Sequence, residues 1–121
     1  METAILTLLI FLQIKHWYID FVNQSDEEVK SKGIYGDVPG MMHSIKHGVG
    51  TVLAVLAVAG YPYIIYALLL GLFDFVTHYH IDWTKMNYGN RDIKTKAFWN
   101  HLGLDQMAHQ LVYILIAYMM T

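Results

Sequence analysis

One arrangement of residues occurs twice in this chain and restricts its fold more than any other feature. His16-Trp17-Tyr18-Ile19-Asp20-Phe21 returns as His78-Tyr79-His80-Ile81-Asp82-Trp83: histidine, two ring residues, isoleucine, aspartate, aromatic. Each copy is followed at the same distance by a second pair, His43 with His47 after the first and Asp105 with His109 after the second. A single offset of 62 positions carries His16, Asp20, His43 and His47 onto His78, Asp82, Asp105 and His109. The four-residue separation within a pair puts both side chains on one helix face, a turn apart. Four helices are therefore expected, each presenting two metal-ligand side chains, as two tandem helical hairpins that meet around these residues.

The remainder is largely apolar. Hydrophobic residues make up 55% of the 121 and charged residues 15%, against roughly 25% charged in an ordinary soluble domain. A chain of this length is expected to form one domain. The helices are expected at about residues 3–22, 41–59, 63–83 and 98–120, separated by polar loops at 23–40 and 84–97 and by the turn Gly60-Tyr61-Pro62. The first segment has about the 20 residues that cross a hydrocarbon core as a helix. It has no basic stretch before its apolar run, so it reads as a retained span rather than a cleaved signal. Ser25 with Glu28 forms a capping-box pattern for a short loop helix that Gly33 would end. Residues 52–59 and 67–73 are apolar on every face, which favours a membrane bundle over a soluble one.

All 8 Lys and Arg residues lie in or beside the two polar loops: Lys15, Lys30, Lys32 and Lys46 at the first, Lys85, Arg91, Lys94 and Lys96 at the second. The positive-inside rule puts both loops in the cytoplasm and both termini outside, with Trp17, Trp83 and Trp99 anchoring at the cytoplasmic level. The expected fold is thus all-α, a four-transmembrane-helix bundle whose hairpins are related by a pseudo-two-fold axis along the membrane normal.

This topology brings the eight paired residues to one depth in the cytoplasmic half. Each ionisable group there costs about 2.5–3.5 kcal/mol on insertion scales, so eight facing one centre need compensation. Bound cations supply it, since carboxylate and neutral imidazole are usual ligands for zinc, iron or manganese. The candidate metal ligands are His16, Asp20, His43, His47, His78, Asp82, Asp105 and His109, enough for two divalent ions with about four protein ligands each. A metal-free His–Asp network tying helices together is the plainer alternative. Asp74, one turn from His78 on the same face, is a candidate catalytic group, extra ligand or supporting acceptor, and Lys85 is the other catalytic candidate. Lys46, Lys85 and Arg91 are candidates for holding a phosphate or anionic headgroup. Gln106 and Gln110 read as supporting or packing groups, His80 and His101 as interfacial. Gly48, Gly50 and Ala54 read as a small-residue stripe for close helix approach.

Net charge is −2, which gives no hint of nucleic-acid binding, and the absence of cysteine excludes thiolate sites and disulfides. The expected surroundings are the lipid bilayer, with an oligomer left open.

These motifs resemble those of a family of small polytopic bacterial and phage membrane proteins, domain of unknown function 3307. The matching residues are Phe21 to Gln24 with Lys30 and Lys32, His43 with His47, Thr77-His78, Ile81-Asp82 with Lys85, and Leu104-Asp105-Gln106 with His109. The resemblance implies membrane residence in a bacterium or a phage-infected host, and no particular reaction. Family members tend to carry leucine where Asn23 stands here. From the residues alone, the expected function is that of a membrane metalloprotein, a metal-dependent hydrolase acting on a lipid or phosphate-containing headgroup. A di-iron oxidase, a metal-ion or proton transporter, and a non-catalytic membrane accessory protein with a structural His–Asp network are the alternatives.

Overall fold

Five helices follow one another: α1 Glu2–Trp17, α2 Asp26–Ser31, α3 Val38–Ala59, α4 Ile64–Tyr88 and α5 Lys96–Met119. They are seen in a computed structural model that describes Met1–Thr121. A π-helical turn, Tyr18–Val22, extends α1 and closes with Asn23 N–H donating to the Tyr18 carbonyl at 2.7 Å. The short α2 starts at the expected capping box. Ser25 Oγ accepts from Glu28 N–H at 3.2 Å, and the Glu28 carboxylate accepts from Ser25 N–H at 2.7 Å. Gly60, at φ +86°, takes the chain out of α3 in a conformation that favours glycine, and one 3-10 turn at Tyr61–Tyr63 leads into α4.

Three boundaries differ from the sequence reading. α3 begins at Val38 rather than near residue 41, because Pro39 fits the first turn of a helix, where its missing N–H costs nothing. α4 runs on to Tyr88 instead of stopping near residue 83, carrying Lys85 on a helix rather than a loop. The Asn87 amide holds that extension by donating to the Trp83 and Gly33 carbonyls. α5 begins at Lys96, where Thr95 accepts from Phe98 N–H at 3.2 Å.

α1 packs on α3 and α5, and α4 packs on the same two, so the four long helices form a square with α1 diagonal to α4 and α3 to α5. α2 lies on α3. The tightest approach is between α3 and α4 at a pair of glycines. A Cβ on Gly71 would stand 2.5 Å from Val52 Cγ2 and 2.8 Å from the Gly48 carbonyl oxygen. Gly50 belongs to another seam, its open side facing Lys15 and Ile19 of the first helix and its π turn.

The interior has two unlike layers. Toward the Gly60 turn it is apolar, with Leu8, Leu12, Val55, Leu70, Tyr113 and Ile116 fully or almost fully buried. Toward the polar loops it is made of ionisable groups, and buried polar residues, 14 in all, outnumber the 12 buried hydrophobic ones. Large apolar side chains meanwhile cover the exterior, among them Ile10, Leu53, Leu68, Leu72, Leu111 and Ile114. That is the reverse of a water-soluble protein.

Three stretches are long and apolar enough to cross a membrane, Glu2–Val22, Val38–Ala59 and Tyr61–Tyr88. Four were expected. α5 has the length but carries Asp105, Gln106, His109 and Gln110 in its middle, which dilute its apolar character.

Candidate metal centre

The polar layer is assembled from the ends of all four long helices. α1 and its π turn contribute His16 and Asp20, α3 contributes His43 and His47, α4 contributes His78 and Asp82, and α5 contributes Asp105 and His109. All eight are buried, none more than 7% exposed. The π turn widens the backbone at Asp20, a distortion often found where a side chain must be aimed at a site.

Two carboxylates organise the cluster. Asp20 Oδ1 is 2.7 Å from His47 Nε2, 2.9 Å from His43 Nε2 and 3.7 Å from His78 Nε2. Asp82 lies 3.1 Å from both His78 Nε2 and His109 Nε2, and 3.7 Å from His43 Nε2. Two groups of potential ligand atoms result, each with all its atoms within 4.8 Å of one another: Asp20, His43, His47 and His78, and His78, Asp82 and His109. His78 belongs to both, stacked between His47 at 3.6 Å and His109 at 4.2 Å between ring centroids.

The chemistry of this donor set fits a cation. Three imidazole nitrogens converge on Asp20 Oδ1, two of them at hydrogen-bond distance and the third, of His78, at 3.7 Å. His78 Nε2, Asp82 Oδ2 and Asp105 Oδ1 have ion-pair neighbours at 3.1–3.3 Å that lie out of hydrogen-bond geometry, and His78 Nδ1 and His43 Nδ1 have no hydrogen-bond partner at all. Such orphaned buried groups cost about 1–3 kcal/mol each. Asp20 has no lysine or arginine beside it, only imidazoles. The separations of 2.7–3.7 Å bracket the edge of about 3.3 Å expected between ligands 2.0–2.1 Å from a tetrahedral ion. Buried His and Asp groups here could therefore hold a metal ion.

The other two candidate ligands stand at the margin of these groups. His16 Nε2 is 3.3 Å from Asp20 Oδ2, but its ring is already engaged, with Nε2 at 2.8 Å from Gln106 Oε1 and Nδ1 at 2.8 Å from the Tyr113 hydroxyl. Asp105 Oδ1 is 3.3 Å from His109 Nε2, while its Oδ2 accepts from Lys85 at 3.2 Å and from the Gln106 amide at 3.0 Å.

The remaining candidates are dispersed. Asp74 is buried outside both groups, bound by the Lys15 ammonium at 2.6 Å and by the Thr51 hydroxyl. Lys46 pairs with Glu28 and caps the Asn23 carbonyl, which ties α2 to α3. Burial raises the Glu28 carboxyl, but the bonds from Lys46 and from Ser25 N–H, with the Lys46 and His43 charges, outweigh it and hold the group below its ordinary range. Arg91 is spent on the Met86 carbonyl near the end of α4. Lys85 alone of the three basic candidates reaches one of the eight paired residues.

Two lysines that the sequence places in or beside the first polar loop point inward. Lys15 crosses the bundle to Asp74, also donating to the His47 carbonyl at 3.2 Å and lying 3.2 Å from His47 Nδ1. Lys32, 6% exposed, sits at the end of α2 with its ammonium 3.2 Å from Asp82 Oδ2 and bonded to Gln24. Adjacency to His16 was the only sequence signal for Lys15, and for Lys32 the only one was its place among the residues that resemble the family.

Beside the cluster, a groove of about 520 Å³ opens between the C-terminal part of α4 and the N-terminal part of α5. Ile81, Thr84, Lys85, His101, Leu104 and Asp105 are among its walls. Asp105 thus faces both the groove and His109.

The sequence profile described as protein of unknown function (DUF3307) matches residues 8–121, nearly the whole chain. No curated protein and no solved structure matches.

Proposed function

The chain belongs to the DUF3307 family, whose function is unknown, and from that premise we propose that it is an integral membrane metalloprotein that hydrolyses a phosphate-containing lipid or headgroup. All four long helices span the bilayer in this reading, with α5 as the fourth. Its Leu111, Ile114 and Leu115 are as exposed as the apolar faces of the other three, and its Asp105 and His109 are buried in the cluster. Both polar loops face the cytoplasm, the termini lie outside, and the membrane is a bacterial inner membrane. The distribution of lysine and arginine supports that orientation.

One observation carries the metal reading: two adjacent His/Asp groups share His78, a buried histidine whose Nε2 meets the Asp82 carboxylate at 3.1 Å out of hydrogen-bond geometry and whose Nδ1 has no partner. Two divalent ions, zinc, iron or manganese, fit the six residues Asp20, His43, His47, His78, Asp82 and His109, with His16 and Asp105 as flanking groups. Matched contacts in the two halves support a duplicated hairpin. His16–Asp20 at 3.3 Å corresponds to His78–Asp82 at 3.1 Å, and Asp20–His47 at 2.7 Å to Asp82–His109 at 3.1 Å. Paired ions of this kind activate water and offset charge on a phosphoryl group. The chain's own part is to hold the phosphate with Lys85, keep Asp105 oriented through Gln106, and balance Asp82 with Lys32.

A transport function needs a polar path through the other half of the bundle. The apolar layer of Leu8, Leu12, Val55, Leu70 and Ile116 weighs against it. The test is turnover of a lipid library by the purified chain with added zinc, manganese or iron. Phosphate release that requires metal and disappears in His78→Ala supports hydrolysis. Metal-loaded protein that turns over no lipid, but carries the ion into proteoliposomes, contradicts it.

A further inference from the structure

We infer that the groove between α4 and α5 is where a phosphate-bearing membrane lipid enters from the side, its phosphate held by Lys85 and His101 and its chain lying along the α4/α5 seam. This rests on the membrane reading above and names the substrate's route and contacts.

The polar end of the groove is built from one buried carboxylate and two partly exposed donors. Asp105, 5% exposed, lines it, with Oδ1 3.3 Å from His109 Nε2 and Oδ2 bonded by Lys85. Lys85, on the opposite wall, has Asp105 Oδ2 as its one hydrogen-bond partner, so two of its three protons stay available. His101 Nδ1 accepts the Asn90 backbone N–H at 2.8 Å, which leaves the proton of the neutral ring on Nε2, a donor. A phosphate oxygen fits a site with an ammonium and an imidazole N–H on its walls. The Asp105 carboxylate stands behind them and leads on to His109, 3.3 Å away.

The other end of the groove is apolar. Ile81, Leu104 and Ala108 line it. The same face of α5 continues at the three- and four-residue spacing through Leu111 and Leu115, each about half exposed. From Leu104 to Leu115 that strip rises roughly 16 Å along the helix, toward the apolar layer. A free phosphate has no use for such a strip, whereas an acyl chain covers it.

The experiment titrates dioctanoyl phosphatidic acid, and separately inorganic phosphate, into the detergent-purified full chain with and without chelator, reading the thermal midpoint. Wild type is expected to be stabilised by the lipid and far less by phosphate. Lys85→Ala is expected to weaken lipid binding by at least about tenfold, as loss of a charged hydrogen bond does. Ala108→Trp fills the apolar end and should abolish it, while Leu53→Trp, on an exposed face away from the groove, should leave it unchanged. Equal binding of phosphate and lipid, or lipid binding indifferent to both groove variants, overturns the inference. Groove-dependent lipid binding by a chain that holds no metal supports it and sinks the metal reading alone.

Discussion

Replacing His78 with alanine removes the one side chain common to both ligand groups. A structural zinc ion is bound with about 10–16 kcal/mol over four ligands, or roughly 2.5–4 kcal/mol for each. At 1.4 kcal/mol per decade, His78→Ala should weaken an ion in either group by about two to three orders of magnitude. His43→Ala takes a ligand from the Asp20 group only, so one affinity falls by that amount and the other stays. Both changes also leave a cavity, and the lost ring between His47 at 3.6 Å and His109 at 4.2 Å destabilises the fold whether or not metal is bound. The informative quantity is therefore the rise in melting temperature when zinc is added to chelator-treated protein. It should be large in wild type, intermediate in His43→Ala and nearly absent in His78→Ala, with metal content by elemental analysis following the same order. A His78→Ala protein that keeps its zinc and is destabilised equally in both conditions would show the ring to be packing rather than a ligand.

Gly71→Ala forces a Cβ to within 2.5 Å of Val52 Cγ2 and should cost about 1–3 kcal/mol in unfolding experiments; Gly103→Ala, with nothing within 4 Å, should cost nothing. Lys15→Met or Asp74→Leu alone strands a buried charge and should destabilise by about 3–5 kcal/mol, whereas the double substitution should recover most of that, and a double variant as unstable as the sum would argue against the ion pair. Glu28 has a depressed carboxyl, so its contribution is present above the ordinary value of 4.5 and fades as pH falls through its lower folded value. Hydrogen-exchange protection across Asp26–Ser31, taken relative to the intrinsic rate at each pH, should fall on acidification below that range, and Glu28→Gln should have low protection at neutral pH already.

The paired spacing made the interior of the cluster legible, because residues four apart on an apolar helix have one face on which to hide their charge. His43, His47, His78 and His109 are each at most 1% exposed. The capping box at Ser25 was legible for a similar reason, being a local pattern with a local cause. What stayed hidden depends on neighbours far away in sequence. Lys15 and Lys32 look like loop charges, since lysine is almost never buried unless paired, and their partners Asp74 and Asp82 are 59 and 50 positions on. The π turn that carries Asp20 leaves no compositional trace. Asp74 shares a face with His78 and so read as a candidate for the site, yet Lys15 and Thr51 engage it elsewhere.

Elemental analysis of the wild-type chain, purified in detergent without added metal and then after equilibration with zinc, bears on whether these histidines and aspartates form a metal centre at all. About two ions per chain are expected, with a lower melting temperature once a chelator strips them. Fewer than about 0.2 ions per chain, with melting unchanged by chelation, would mean that the cluster is a hydrogen-bonded network holding the helices together.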